Sequence, residues 1–305
     1  MNYSFDSRRP EQAGDIIVLG ERDDSRAIIE SLPTAGGDRQ KFHYTRSLEK
    51  VDFKTVEAII FSDPQLMEVN QELIEQAIIR GVRVKQLPVI AEQYLKIIPE
   101  KLAIAYRDYY QVIFSTIKPL KILRFLDLTI SALLTIIAIL PLLASVLYIL
   151  IKDGRPAFFR QKRIGYGGRI FMLLKLRTYD DITDEKGQTE TVSTRSGGRL
   201  RKFRLNEIPQ IVNVLRGEMS LVGSRPDILK DYQKNMAAFP FYFSRFLILP
   251  GITGHAQANY GYCYTEEDFQ RRLEYDLYYV KNRSVRLYLL ILLKTIKTVF
   301  HGQGC

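Results

Sequence analysis

Residues 128–151 read LTISALLTIIAILPLLASVLYILI, 24 positions without a charged side chain. As one straight helix the run would be about 36 Å long, enough to cross a hydrocarbon core. Two features argue for a different path. Pro141, near the middle, removes a backbone hydrogen bond and bends or breaks a helix. Basic residues also flank both ends: Lys118, Lys121 and Arg124 before the run, then Lys152, Arg155, Arg160, Lys162 and Arg163 after it. Lys/Arg-rich flanks stay in the cytoplasm, and here the rule makes the same claim for both ends. The sequence therefore predicts a re-entrant membrane helix over 122–152, a hairpin bent at Leu140–Pro141. The parts before and after it then share the cytoplasmic side. Asp127 is expected at headgroup level or as a partner for Arg124.

Working outward toward the N-terminus, strand-like and helix-like segments alternate. DIIVLG (15–20), EAIIFSD (57–63) and VRVKQLP (82–88) read as strands. SRAIIESL (25–32) reads as a short helix. A longer helix after Asp63-Pro64 presents Leu66, Val69, Leu73, Ala77 and Ile78 on one face and stops at Gly81. This alternation predicts an α/β, Rossmann-like module over 14–105, a doubly wound parallel sheet. Residues 1–13 are expected to be disordered and 106–121 to be a linker. The first strand runs into LGERDDS, which offers Gly20 alone where a dinucleotide fold needs G-x-G-x-x-G. A structural or regulatory role is therefore expected for the module.

The whole chain of 305 residues carries a formal charge of +10, so an anionic partner is expected. No zinc spacing, helix-turn-helix pattern or aromatic RNA-binding signature is present, which excludes nucleic acid from the expected partners. Cys263 and Cys305 make no disulfide framework, and His43, His255 and His301 are too scattered for a histidine metal centre. The polar N-terminus has no apolar core for a signal peptide. The Leu287–Leu293 run, with Lys294 and Lys297 behind it, is too short to span and reads as an interfacial or packed helix.

After the apolar run, Gly165, Gly167 and Gly168 suit a tight turn between two strands. Basic residues stand singly or in pairs beside turns: Arg160, Lys162, Lys175, Arg177, Arg199, Arg201 and Arg225. Such spacing lets several cations converge on one polyanion. In FRLNEIPQIVNVLRG (203–217), Asn206 reads as an N-cap, Glu207 as a first-turn acid and Gly217 as the helix end.

From about residue 117 to the end, the chain resembles the bacterial sugar transferase family. These are the monotopic phosphoglycosyl transferases that act on polyprenol phosphate. The motifs that carry the resemblance are FFRQKRIG, KLRT, LRK with LNEIPQ, NVLRGEMSLVG, SRP and PGITG, in that order behind a proline-broken apolar segment. The N-terminal module is similar to that of the family's longer members. The resemblance implies a mixed α+β catalytic domain over 153–305, seated at the cytoplasmic face of the bacterial inner membrane. It implies transfer of a sugar-1-phosphate from a UDP-sugar to polyprenol (undecaprenyl) phosphate, with release of UMP, as the first membrane step of exopolysaccharide, capsule, O-antigen or glycoprotein glycan assembly. It also implies Mg²⁺, the lipid of one leaflet, self-association and downstream glycosyltransferases as partners. By position, Glu207 matches the acidic, Mg²⁺-holding member of an Asp-Glu dyad, and Lys175 and Arg201 match basic residues near it. Arg225 and Pro226 match an Arg-Pro pair; Gln210, Asn213 and Ser220 match supporting polar positions. Arg177 is placed with the substrate-binding set.

The chain departs from the family pattern where Asn206 replaces the Asp that acts as nucleophile. A neutral amide has neither the charge nor the nucleophilicity to attack phosphorus. Three routes stay open. Glu207 serves as nucleophile, the lipid phosphate attacks directly, or the chain is an inactive homologue or engineered variant that binds UDP-sugar or acts as a scaffold. Glu218 replaces an Asp, and Ser224 replaces the first Pro of Gly-Pro-Arg-Pro.

Overall fold

The computed structural model describes residues 15–20, 26, 28–29, 42–183, 189–260 and 265–300. The expected disordered N-terminus, residues 21–25 of the LGERDDS loop, most of the SRAIIESL helix, Cys263, His301 and Cys305 lie outside these residues. The chain divides into two compact units, 1–108 and 109–305.

In the first unit, β1 (Asp15–Leu19), β2 (Phe42–Thr45), β3 (Val56–Phe61) and β4 (Arg83–Gln86) form a parallel sheet in the order β2-β1-β3-β4. β1 and β3 are central, and their apolar side chains Leu19, Ile59 and Phe61 are fully buried, as parallel strands covered on both faces require. The helix expected after Pro64 is two helices, α1 (Gln65–Val69) and α2 (Gln71–Ile79), broken at Asn70. Asn70 is buried there, accepts from the Leu48 amide at 3.2 Å and donates to the Leu66 carbonyl at 3.0 Å. That break shifts the apolar face. Ile74 and Ala77 are buried with Leu66 and Leu73 against them, while Val69 and Ile78 are exposed. Helices α3 (Leu87–Leu95) and α4 (Glu100–Ala105) follow. The expected linker is largely helical. It holds α5 (Arg107–Ser115), whose Tyr110 and Phe114 are buried and pack on Phe241.

The second unit begins with α6 (Lys121–Lys152), which stays helical through Pro141 instead of breaking into two helices. Its mean hydropathy of 2.7 and length make it the one helix among the described residues long and apolar enough to cross a membrane. Its middle is bare, with Ile136 73% and Leu140 74% exposed. Its two ends are held by the same unit. Near the start, Arg124 donates to the carbonyls of Val214 and Leu215, the open C-terminal end of α8 described below. Asp127 feels the charge of Arg124, as expected, but makes its hydrogen bonds to other groups. It is buried and accepts from Ser220 Oγ, the Leu221 amide and Tyr288 Oη at 2.8–2.9 Å. Near the far end, Ile149 with Leu142 and Val146 joins Ala157, Leu176, Leu200 and Leu205 in one apolar cluster.

Next comes the antiparallel hairpin β5 (Phe158–Ile164) and β6 (Ile170–Leu176), turning at Gly165–Gly168 as the glycines predict, with positive φ at Gly167 and Gly168. A second hairpin, β7 (Tyr179–Thr183) and β8 (Thr189–Ser193), leads to α7 (Gly197–Lys202). Then follow α8 (Gln210–Leu215), β9 (Ser220–Val222), α9 (Leu229–Ala238) and β10 (Gly251–Thr253), which pairs parallel with β9. The unit ends with α10 (His255–Asn259), α11 (Glu266–Asn282) and α12 (Val285–Phe300). α12 buries Tyr288 and Ile291 and exposes Leu289, Leu290, Leu293 and Ile296, so it packs on one face and leaves an apolar one open.

Candidate active site

The site is built around the 203–217 stretch, where the helix starts later than its residues suggest. Asn206 is not an N-cap; it lies inside a 3-10 turn, Leu205–Glu207, and is buried. Pro209 has no N–H to give the Leu205 carbonyl, so an α-type bond cannot form there. The bonds that do form skip three residues: Glu207 to Arg204, Ile208 to Leu205, Val212 to Pro209. α8 therefore starts at Gln210, with Pro209 in the cap position. Arg204, just before the turn, adopts a left-handed backbone (φ 53°), unusual for a residue with a side chain. That reversal follows α7 directly and places Glu207 and the Arg204 guanidinium together.

Glu207 is ringed by cations. Its carboxylate oxygens lie 3.5 Å from Arg225 Nη1, 3.8 Å from Arg204 Nη1 and 3.9 Å from Lys175 Nζ. Lys175 reaches it from β6. Burial first, and then the Arg225 charge, push the Lys175 ammonium down to about 8, with Glu207 pulling against both. Arg163, on β5, is also pushed down, first by burial and then by Arg225. Arg225 thus bears on two cations that burial already disfavours, which crowds positive charge into one small volume.

The loop 224–227 that carries Arg225 is fixed through its backbone. Ser224 O accepts from the Gly251 amide, Arg225 O from Arg245 Nη2 at 2.9 Å, Pro226 O from Arg163 Nη1 at 3.0 Å, and Asp227 O from the Ile164 amide. Arg245 is buried and paired with Asp227 and Asp276 on either side, and Tyr242 Oη also donates to Asp227. Lys175, Gln210, Arg225 and Pro226, with Arg163, Leu173 and Gly251, line a cavity of about 10 Å³, room for about one water. A larger cavity of about 240 Å³ lies at the root of α6, lined mainly by apolar side chains with Arg124, Asp127 and Arg283. The charge cluster borders the smaller one.

The structure thus brings together Lys175, Glu207, Gln210, Arg225 and Pro226. The other expected site residues are engaged elsewhere. Arg201 donates to Thr178 O and Ser193 Oγ, both at 2.9 Å, and stacks over Tyr179. Arg177 ties the end of α6 down, donating to the carbonyls of Asp153 and Gly154 and to Asp180. Asn213 pins α8 to β6 through Leu174 N and Met172 O and also donates to Glu218. Ser220 belongs to the Asp127 anchor. Sequence reasoning missed Arg204 and Arg245 and placed Arg163 only among the membrane flanks. Local patterning cannot show the long-range pairs that recruit Arg163 and Arg245.

A family model described as bacterial sugar transferase matches residues 119–302, which holds α6 and every residue of this cluster. The chain belongs to the bacterial sugar transferase family. Among its relatives, a UDP-N-acetylgalactosamine-undecaprenyl-phosphate N-acetylgalactosaminephosphotransferase of Aeromonas hydrophila is 37% identical over 168 residues, 53% of this chain and 40% of the relative. A UDP-glucose:undecaprenyl-phosphate glucose-1-phosphate transferase of Caulobacter vibrioides is 38% identical over 184 residues, 58% and 68% of the two chains. An undecaprenyl-phosphate glucose phosphotransferase of Komagataeibacter xylinus is 39% identical over 186 residues, 57% and 35%. This sugar transferase therefore spans about two fifths of the Aeromonas relative and about a third of the Komagataeibacter one. The three relatives are named for two different sugars.

Proposed function

We propose that this sugar transferase moves a sugar-1-phosphate from a UDP-sugar to polyprenol phosphate and releases UMP. The observation that carries the reading is the ring of Lys175, Arg204 and Arg225 around the single carboxylate Glu207, with Arg163 beside it. A diphosphate donor and a lipid phosphate are both anionic, and preorganised cations are what lets them meet. Lys175 and Arg225 bind and orient the diphosphate, while the pinned 224–227 loop holds Arg225 in place. Among the described residues no group of three His, Cys, Asp or Glu side chains forms a metal cage. One carboxylate suits Mg²⁺ that arrives with the diphosphate and keeps most of its waters, and Glu207 is the residue that would hold it. The ion would neutralise charge on the phosphate oxygens. Asn206 carries no charge and Glu207 is engaged by three cations, so in this reading the attack on phosphorus falls to an oxygen of polyprenol phosphate. The new O–P bond forms at the sugar-bearing phosphorus, the bond to the bridging oxygen breaks, and UMP leaves with that oxygen.

The same reading seats the unit at the cytoplasmic face on a re-entrant α6. Arg124 and Val146 would stand about 33 Å apart on a straight helix. Their contacts, Val214 and the Leu205 cluster, are only nine residues apart along a 3-10 turn and a short helix. A helix bent at Pro141 brings both ends to that short stretch. A Rossmann-like assignment for the first unit rests on its parallel strand order, with the order reversing between β1 and β3.

Asn206 favours a second reading, a UDP-sugar-binding or scaffolding homologue that turns over poorly. The experiment is transfer of labelled sugar phosphate into an organic-extractable lipid, using a panel of UDP-sugars, polyprenol phosphate and Mg²⁺. Transfer from at least one donor by the unaltered chain supports the enzyme. Transfer only by Asn206→Asp supports the second reading.

A further inference from the structure

Arg272, on α11, has two buried guanidinium atoms, Nε and Nη2, with no hydrogen-bond partner among the described residues. These two N–H groups form one edge of the guanidinium plane, the edge that meets two oxygens of a carboxylate or phosphate side by side. A charged fork held out of water without an acceptor is costly, and such a group calls for an explanation by a missing partner. Asp276, one helical turn on, is already engaged by Arg245 Nε at 2.9 Å, and Glu274 accepts from Arg271 Nη1 at 2.7 Å. Arg272 also stands one helical turn before Asp276, whose partner Arg245 holds the Arg225 carbonyl at 2.9 Å. The Arg272 charge acts on Arg163, which lines the cavity, together with that of Arg225, and on Asp276. A second orphan, the buried Ser224 Oγ, sits on the loop that carries Arg225.

We propose that Arg272 is a further substrate-binding residue, whose Nε–Nη2 edge takes a phosphate group of the nucleoside diphosphate seated at the Lys175–Glu207–Arg225 cluster. The proposal rests on the function assigned above and adds a residue that none of the sequence motifs includes. Around this volume Arg163, Lys175, Arg204, Arg225, Arg245 and Arg272 outnumber the carboxylates Glu207, Asp227, Asp231 and Asp276. A multiply charged anion redresses that imbalance and fills the fork in one event.

The test uses the full chain in lipid nanodiscs, with Arg272→Met and Arg272→Lys. Calorimetric titration with UDP, and separately with inorganic pyrophosphate, is paired with thermal unfolding in the absence of ligand. Arg272→Met is expected to weaken UDP binding about tenfold to a hundredfold, the loss of a charged hydrogen-bond pair. Arg272→Lys restores only part of it, because an ammonium is a point donor. The ligand-free thermal midpoint of Arg272→Met should stay close to that of the unaltered chain, since the cost of the unpaired fork offsets the attraction of its charge for Asp276. A lower ligand-free midpoint with unchanged UDP affinity would overturn the proposal and make Arg272 structural. Pyrophosphate binding that depends on Arg272, with no binding of UDP, would keep the fork and remove the nucleotide reading. Binding of neither ligand by the unaltered chain removes both.

Discussion

Lys175 gives the site a pH signature that can be worked through. Its ammonium is pushed down to about 8 by burial and by the neighbouring Arg225, against an ordinary value of 10.5. In the ligand-free protein half of it is therefore neutral near pH 8. The unfolded chain holds more protons than the folded one between pH 8 and 10.5, so the stability of the free protein rises with pH through that window. The full gain is on the order of 3 kcal/mol. A bound diphosphate reverses the balance, because an anion beside Lys175 returns it toward its ordinary range. Binding UDP at pH 8 should then draw in about half a proton at this residue, and almost none at pH 6.5. Above pH 8 the affinity should fall by up to about tenfold per unit. The assay is calorimetric titration in buffers of different ionisation heat, with Lys175→Met as the control for the titration of the nucleotide itself. Equal proton uptake by the unaltered chain and Lys175→Met would refute the placement of Lys175 against the diphosphate.

Three further outcomes follow from the packing. Arg245→Met strips the counter-charge from buried Asp227 and Asp276 and should cost about 3–5 kcal/mol; a thermal or denaturant midpoint close to the unaltered protein would contradict it. Asp127→Ala leaves Ser220, the Leu221 amide and Tyr288 without their acceptor, and should cost about 3 kcal/mol or more, whereas Asp127→Asn keeps much of that stability; the comparison is made by thermal unfolding in one detergent. Gly223→Ala would put a Cβ 2.4 Å from the Leu249 carbonyl and 2.7 Å from the Gly251 amide, forcing β9 and β10 apart. It should abolish UDP binding measured by calorimetry before it abolishes secondary structure measured by circular dichroism.

What could be read from the residues, and what could not, divides along a physical line. The glycine turn at 165–168 and the apolar length of α6 are local properties, and both appear where periodicity and composition put them. So do β1, β3 and β4, whereas β2 is four residues, FHYT, with too little pattern to detect. Asn206 misled as a cap because the missing amide of Pro209, three residues on, outweighs cap preference and delays the helix. Family position named Lys175, Glu207, Gln210, Arg225 and Pro226, which the fold brings close together. It could not say that Arg177 and Arg201 are spent on backbone carbonyls, since that depends on where α6 ends and how β7 turns. Arg245 and Arg272 escaped notice for the converse reason. An arginine among charged neighbours looks like surface until the fold buries it, as with Arg245, or its guanidinium edge, as with Arg272.

The central claim is that the cation ring around Glu207 binds the diphosphate of a UDP-sugar for attack by a lipid phosphate. The most direct measurement is UMP release by the unaltered chain, with and without polyprenol phosphate, compared with Glu207→Gln. The account predicts release that needs the lipid phosphate and falls at least a hundredfold in Glu207→Gln. Release that proceeds without the lipid, or at an unchanged rate in Glu207→Gln, would contradict it.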